Sequence, residues 1–416
     1  MSSATDQATQ ISFFNADVQQ CPFPHYDALR TEKPVYIDPK TGNYVLTRYD
    51  DVRKVLLNYR QFSNKTGLLQ TRDTPTTAQT NRMFEEHGWL PLDTLVSNDP
   101  PSHRLYRTLV DKAFTPNKII GLEPRIAEIC DELIDTFIDQ PEIDFIDAFA
   151  IKLPMTMIAE QLGVATEDMD RFKRWSDLGV ESTSPILTPE REIATTQGVI
   201  ELQNYMAENA ARFRQSPDDS KLLSRLVHAE VEGQRLDMRA FMSIIQQLLV
   251  AGNETTTAAL GAGMKLLIDH PALVDRLRAE PDRLRTFVEE ALRVMAPVQA
   301  LFRRVLADAD IGGTPIPEGA IVEVRFGAAN RDPAMFSNPD CPDLDRANAN
   351  MHMAFGAGIH LCIGNQLARG ELRVAFARLI DRMQGFRAAR GDDSYAYSPT
   401  FVTYAISKLF MSFDRR

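Results

Sequence analysis

No two of the four cysteines in this 416-residue chain form a C-x-x-C pair, and the wide spread of Cys21, Cys130, Cys341 and Cys362 fits neither zinc-site spacing nor a disulfide framework. Cys21, Cys130 and Cys341 are read as small buried hydrophobes. The start MSSATDQATQ lacks the basic residues and apolar run of a secretory signal, so a reducing cytoplasm is expected, where a thiolate survives. Basic residues are in deficit: Lys and Arg number 46 against 57 Asp and Glu, a net charge of −11. Nucleic acid is thereby excluded as a general partner, because phosphate binding needs a surface that neutralises backbone charge. No Gly/Ser-rich or Pro-rich linker, internal repeat or low-complexity tract breaks the pattern. One domain over 1–416 is therefore expected, acting as a monomer, rather than the two or three that ~150 residues per domain would allow. Nor is there an unbroken apolar run for a membrane: Gln246, Gln247, Asn253 and Glu254 interrupt 240–268, which reads as a central helix.

What is present is ordinary for a chain with a sizeable core, 44% apolar and 25% charged, so disorder is expected only over about residues 1–12. Apolar spacing of three and four predicts helices over about 102–113, 116–139, 145–163, 166–179, 189–214, 219–230, 236–268, 271–278 and 282–295. PVYIDP and NYVLTRY predict a small β-element near the N-terminus, and the Gly- and Pro-punctuated segment 298–326 predicts a second small sheet. The fold class is mainly α with small β-sheets around a long central helix. Residues 64–97 are polar and irregular and read as a lid loop.

The stretch MAFGAGIHLCIGNQLAR, residues 353–369, sets Cys362 among Gly356, Gly358 and Gly364 just before a helical run. Glycine admits positive φ and close backbone approach, and a helix N-terminus stabilises a thiolate. A lone thiolate cannot complete a structural zinc site or an iron–sulfur cluster, whereas haem iron needs a single protein ligand. Phe355, Gly358, His360, Cys362 and Gly364 match F-x-x-G-x-H-x-C-x-G, and the stretch resembles the signature of the cytochrome P450 superfamily. The resemblance implies the family's α-rich fold, haem b as cofactor, O2 as co-substrate and Cys362 as the thiolate ligand to iron. Phe355, Gly356, His360 and Gly364 would surround the cofactor.

Further matches follow in family order. In EEALRVMAPV, Glu290 and Arg293 form an E-x-x-R pair; alone it is an ordinary i,i+3 ion pair, but in the family it braces the cysteine loop, with Arg346 as third member. His103 and Arg107 lie four apart on one helical face and are expected to hold one haem propionate, while Arg303 (next to Arg304) and His360 take the other. AGNETT, residues 251–256, resembles the distal acid–alcohol motif: Ala251 and Gly252 leave room for dioxygen, and Glu254 and Thr255 are the catalytic pair. Gln247, Val250, Gln299, Leu301, Phe401 and Val402, with the lid around 84–96 and the region 175–190, are expected to contact substrate.

The implied activity is hydroxylation of a hydrophobic small molecule of terpenoid, steroid or aromatic type. Electrons would come from NAD(P)H through a ferredoxin and its reductase, docking near Arg104, Lys112 and Arg373. Two other classes are weighed against it. A haem-thiolate peroxygenase usually lacks the acid–alcohol pair, and a non-catalytic haem-binding sensor needs a second protein ligand or an effector domain.

Overall fold

The longest element is the central helix Met238–Asp269, which in the computed structural model runs for 32 residues. The structure describes residues 11–66, 74–182 and 187–416; residues 1–10 of the expected disordered start, 67–73 of the lid and 183–186 of the expected substrate region lie outside the described residues. At the start of the described chain the expectation is corrected. Ile11 is 7% exposed, and the Ser12 hydroxyl donates to the buried Asp38 carboxylate at 2.8 Å, so side-chain burial and a hydrogen bond order this end. Residue contacts divide the chain into two units, with the break in the central helix between Glu254 and Thr255.

The first unit draws its described residues from Met1–Ser63, Glu123–Leu153 and Thr255–Arg416. The two small β-elements expected from the sequence join in one five-stranded sheet, in the order Val35–Ile37, Tyr44–Leu46, Ile321–Arg325, Ala300–Val305, Phe62–Ser63. Tyr44–Leu46 pairs in parallel with Ile321–Arg325, Val45 opposite Glu323. The reason is burial: Leu46, Val322 and Val324 share one core with Val52, Val55 and Leu56 of the helix Tyr49–Leu57, and a short hairpin alone could not cover them. A hairpin, Ala309–Ile311 with Thr314–Ile316, turns through Gly312 and Gly313, both at positive φ. The C-terminal strand Ile406–Arg415 pairs with Tyr395–Tyr397, Ile143–Asp144 and Met383–Ala388.

Two helices of this unit frame the cysteine. Leu284–Val294 buries the whole run from Glu290 to Val294, and Asn365–Arg382 starts three residues after Cys362. The latter packs on Glu123–Asp135, and Arg378 grips Asp131 through two bonds of 2.9 and 2.8 Å. The central helix lies close by: a Cβ on Gly263 would sit 2.3 Å from the Phe376 ring, so this crossing depends on glycine. The expected helix 116–139 is corrected to two, Pro116–Ile120 and Glu123–Asp135, with Gly121 as the break.

The second unit, Asn64–Leu122 with Pro154–Glu254, holds Ser102–Ala113, Met169–Glu181 and Pro189–Gln215. The lid expectation is also corrected. Within 64–97 the residues Thr77–His87 form a helix, because Phe84, Met83 and Leu90 find an apolar seat on Val199 and Ile200. Polar side chains pin the segment along its length: Gln203 accepts from the Trp89 N–H and donates to the Trp89 carbonyl, both at 2.9 Å, and Ser243 accepts from the Leu92 N–H.

Candidate active site

Cys362 sits in a loop shaped by two left-handed glycines. Gly356 and Gly358 take φ of +68° and +70°, and a Cβ on Gly358 would lie 2.7 Å from the Leu56 carbonyl oxygen, so only glycine fits there. The Cys362 N–H donates to the Phe355 carbonyl at 2.9 Å, and the Cys362 carbonyl accepts from the Asn365 side chain at 2.5 Å. The residue is exposed, while a Cβ on Gly364 would stand 4.0 Å from its sulfur, an ordinary contact. Of the other cysteines only Cys130 is buried, which pushes its thiol up; Cys21 and Cys341 are exposed, against the expectation of burial, because each lies in a surface turn rather than in a helix.

The brace is assembled as a fully buried ionic triad. Arg293 Nε and Nη2 donate to the Glu290 carboxylate at 2.7 and 3.0 Å, and Arg346 Nε reaches the same carboxylate at 3.0 Å; Glu290 and Arg293 are 0% exposed. Buried charges persist only when paired and hydrogen-bonded. Arg293 meets this condition by also donating to the carbonyls of Asn330, Pro339 and Cys341. Asn330 carries the brace to the loop, since its side-chain oxygen accepts from the Met353 N–H at 2.7 Å and the Met353 carbonyl accepts from Gly356.

A second network escaped the sequence reading. Glu289 receives Arg369 Nε at 2.7 Å and Nη2 at 2.9 Å, and His352 Nε2 at 3.0 Å. The Ala354 N–H donates to His352 Nδ1, so the ring proton lies on Nε2 and is given to Glu289. Burial would raise the Glu289 carboxyl, but the His352 and Arg369 bonds outweigh it and hold its pKa down at about 2. Only the pairing of Glu290 with Arg293 was marked by local spacing; His352 is 63 residues from Glu289.

On the central helix, Ala251 and Gly252 are exposed in the middle of a run of buried and half-buried residues, and a Cβ on Gly252 would meet nothing within 4 Å. Glu254 and Thr255 follow, half-buried, and burial pushes the Glu254 carboxyl up. Asn253 turns to Ser176, and Val250 packs near Gly179. Gln247 is held to the lid, accepting from the Leu95 and Val96 N–H groups and donating to Thr94 at 2.8 Å.

The remaining expected site residues are placed as follows. Arg303 is buried, with Nη1 on the Phe302 carbonyl at 2.8 Å, whereas Arg304 is half-exposed. His103 is buried and its ring pKa is lowered by desolvation and then by Arg107; Arg107 pairs with Asp111 at 3.0 Å. His360 and Phe355 lie half-buried in the cysteine loop, with the Arg369 guanidinium 4.4 Å over the Phe355 ring. Leu301 and Val402 are half-buried, and the Phe401 ring stacks on Phe14 at 4.7 Å. Gln299 is corrected: it is 2% exposed, accepts from the Tyr26 hydroxyl at 2.9 Å and donates to the Ala296 carbonyl at 2.6 Å. Its amide is used up inside the first unit, because a buried polar group must be satisfied there, and it does not present itself to a substrate.

The chemistry of these residues fits an iron porphyrin: one exposed thiol in a glycine-shaped loop, and a central helix left bare by the small residues Ala251 and Gly252. Among the described residues no group of three or more His, Cys, Asp or Glu side chains forms another metal centre. Residues 183–387 match the family model for Cytochrome P450. Putative cytochrome P450 YjiB of Bacillus subtilis is 36% identical over 384 residues, 90% of this chain and 91% of the relative. The chain belongs to the cytochrome P450 family. As a cytochrome P450 it is a haem-thiolate monooxygenase, using haem and O2. Vitamin D(3) 25-hydroxylase of Pseudonocardia autotrophica is 34% identical, each chain covered to 98%. The crystal structure of CYP109E1 from Bacillus megaterium in complex with testosterone superposes with a TM-score of 0.82 at 32% identity, covering 94% of this P450 and 99% of that chain. No helix among the described residues is long and apolar enough to cross a membrane.

Proposed function

We propose that this cytochrome P450 binds haem b through Cys362 and hydroxylates an apolar scaffold of steroid or terpenoid type, with NAD(P)H electrons delivered by a ferredoxin and its reductase. The observation that carries the oxygen chemistry is the central-helix turn, where bare Ala251 and Gly252 precede a carboxyl raised by burial and a hydroxyl, Glu254 and Thr255. Bound haem supplies the iron at which dioxygen is activated. The Glu254 carboxyl keeps a proton further up the pH scale than an exposed glutamate and passes it on; the Thr255 Oγ1 orients the proton's delivery. Arg303 and His360 are assigned to one propionate, and His103 and Arg107 to the other. The His103 ring donates an N–H to its propionate.

Support for the scaffold class comes from the relatives named for vitamin D(3) hydroxylation and crystallised with testosterone. Val250, Leu301, Phe401 and Val402 are the assigned apolar contacts, while Gln247 acts on substrate through the lid it anchors. A reducing, cytoplasmic setting is proposed because Cys362 must remain a thiolate. For the electron partner, Arg373 is paired with Glu123 and Lys112 with the Glu230 carbonyl, which leaves exposed Arg104 as the cation best placed to meet an acidic ferredoxin.

A panel of steroids, terpenoids and small aromatics tests the reading, scored by the Soret shift on binding and by product. A steroid or terpenoid is expected to give both. Turnover confined to small aromatics would overturn the scaffold class. With a substrate in hand, Thr255→Ala should divert reducing equivalents to hydrogen peroxide, and Glu254→Gln should slow turnover about 10²–10⁴-fold; full coupling in Thr255→Ala would refute the proton role.

A further inference from the structure

The guanidinium of Arg369 makes three different kinds of contact, and two of them lead to the same residue, Cys362. It is clamped on the Glu289 carboxylate by a fork of 2.7 and 2.9 Å. Its Nη1 donates to Asn365 Oδ1 at 2.9 Å, and its Cζ lies 4.4 Å from the centroid of the Phe355 ring. Phe355 and Asn365 are the residues that hold Cys362 from either side: the Phe355 carbonyl accepts the Cys362 N–H, and the Asn365 side chain donates to the Cys362 carbonyl. One planar cation thus fixes the donor and the acceptor of a single residue.

We propose that Arg369, oriented by Glu289, is a positioning residue for the Cys362 thiolate, an inference that rests on the assignment of Cys362 as the haem ligand. The Glu290 brace acts on the loop through Asn330 and Met353, upstream of Phe355, and touches neither flank of Cys362. Arg369 acts at the flanks themselves. A lysine cannot replace it, since a point charge supplies neither the bidentate fork nor the flat face that stacks on Phe355. Its role is to keep the Cys362 peptide frame still, so that the sulfur stays a thiolate on the iron instead of relaxing into a thiol or leaving.

The test compares the reduced carbon monoxide complexes of the haem-loaded parent, Arg369→Lys, Arg369→Gln and Asn365→Ala, with thermal unfolding of each followed in parallel. The parent is expected to show the red-shifted thiolate Soret band; its absence there would overturn the haem-thiolate assignment itself. With that band in place, Arg369→Lys and Arg369→Gln should convert to the thiol-type spectrum at least about tenfold faster than the parent, since the bond to Asn365 is lost together with the fork that orients it. Asn365→Ala keeps the Arg369–Glu289 pair and leaves no buried charge unpaired. It should show the same conversion in smaller degree, with an unchanged unfolding temperature. Conversion at the parental rate in Asn365→Ala and Arg369→Lys, or rates in all variants that merely track unfolding temperature, would overturn the positioning role.

Discussion

Glu371 is a carboxyl that the proposed chemistry does not use, and it makes a sharp thermodynamic prediction. It lies buried in the helix after Cys362, and desolvation raises its pKa from an ordinary 4.5 to about 8 against a smaller opposing bond from Thr256. The folded-state pKa is above the unfolded one, so the folded protein keeps a proton that the unfolded chain releases. The stability linked to this group is fully present below the unfolded value, and it is lost as pH rises toward the folded value. At 1.36 kcal/mol per unit, raising the pH from about 5 to about 7 costs the parent about 2–3 kcal/mol that Glu371→Gln does not lose. A buried amide has a desolvation cost of its own, of about 1–3 kcal/mol, but that cost is independent of pH. Urea unfolding of parent and variant at both pH values isolates the term, because every other titrating group cancels in the difference. The variant should gain on the parent by those 2–3 kcal/mol as pH rises. A difference that stays constant with pH would refute the claim that Glu371 is protonated in the folded state.

Other consequences follow from the brace, the loop and the lid. Glu290→Gln leaves two arginines facing a neutral amide in a fully buried site and should destabilise the protein by about 3–5 kcal/mol in the same unfolding assay. Gly358→Ala forces a Cβ to 2.7 Å from the Leu56 carbonyl oxygen at a φ of +70° and should lower both stability, by about 1–3 kcal/mol, and retained haem measured by absorbance; Gly252→Ala, with open space around its Cβ inside a helix, should raise stability by about 0.5–1 kcal/mol. Gln203→Leu removes both bonds to Trp89 and should raise amide hydrogen exchange across 88–92 about tenfold, with the cysteine loop unaffected.

The cysteine loop was legible from the sequence because its demands are local: Gly356 and Gly358 are glycine since the backbone turns left-handed there, and Cys362 sits a few residues away. Glu290 with Arg293 and Glu254 with Thr255 were legible for the same reason, each pair falling within one helical turn. The Glu289, His352 and Arg369 network was not, because chain folding alone joins residues 63 and 80 positions apart, and no period in the sequence announces it. Gln299 shows the opposite failure: its position beside the expected substrate turn is as read, but its amide is turned to Tyr26, and only packing decides rotamer direction. The lid helix was hidden by its polarity, since just Met83, Phe84 and Leu90 meet Val199 and Ile200 and the rest of the segment is held by side-chain hydrogen bonds. The strands 35–37 and 44–46 were found where expected, but parallel pairing of Val45 with Glu323 spans most of the chain and leaves no trace in either segment.

Ligation of haem iron by the Cys362 thiolate is tested most directly by the reduced carbon monoxide spectrum of the purified, haem-loaded protein beside that of Cys362→His. The parent should show the red-shifted Soret band of a thiolate ligand, and Cys362→His should show an imidazole-type band or no bound haem. The same thiolate-type band in Cys362→His would contradict the assignment.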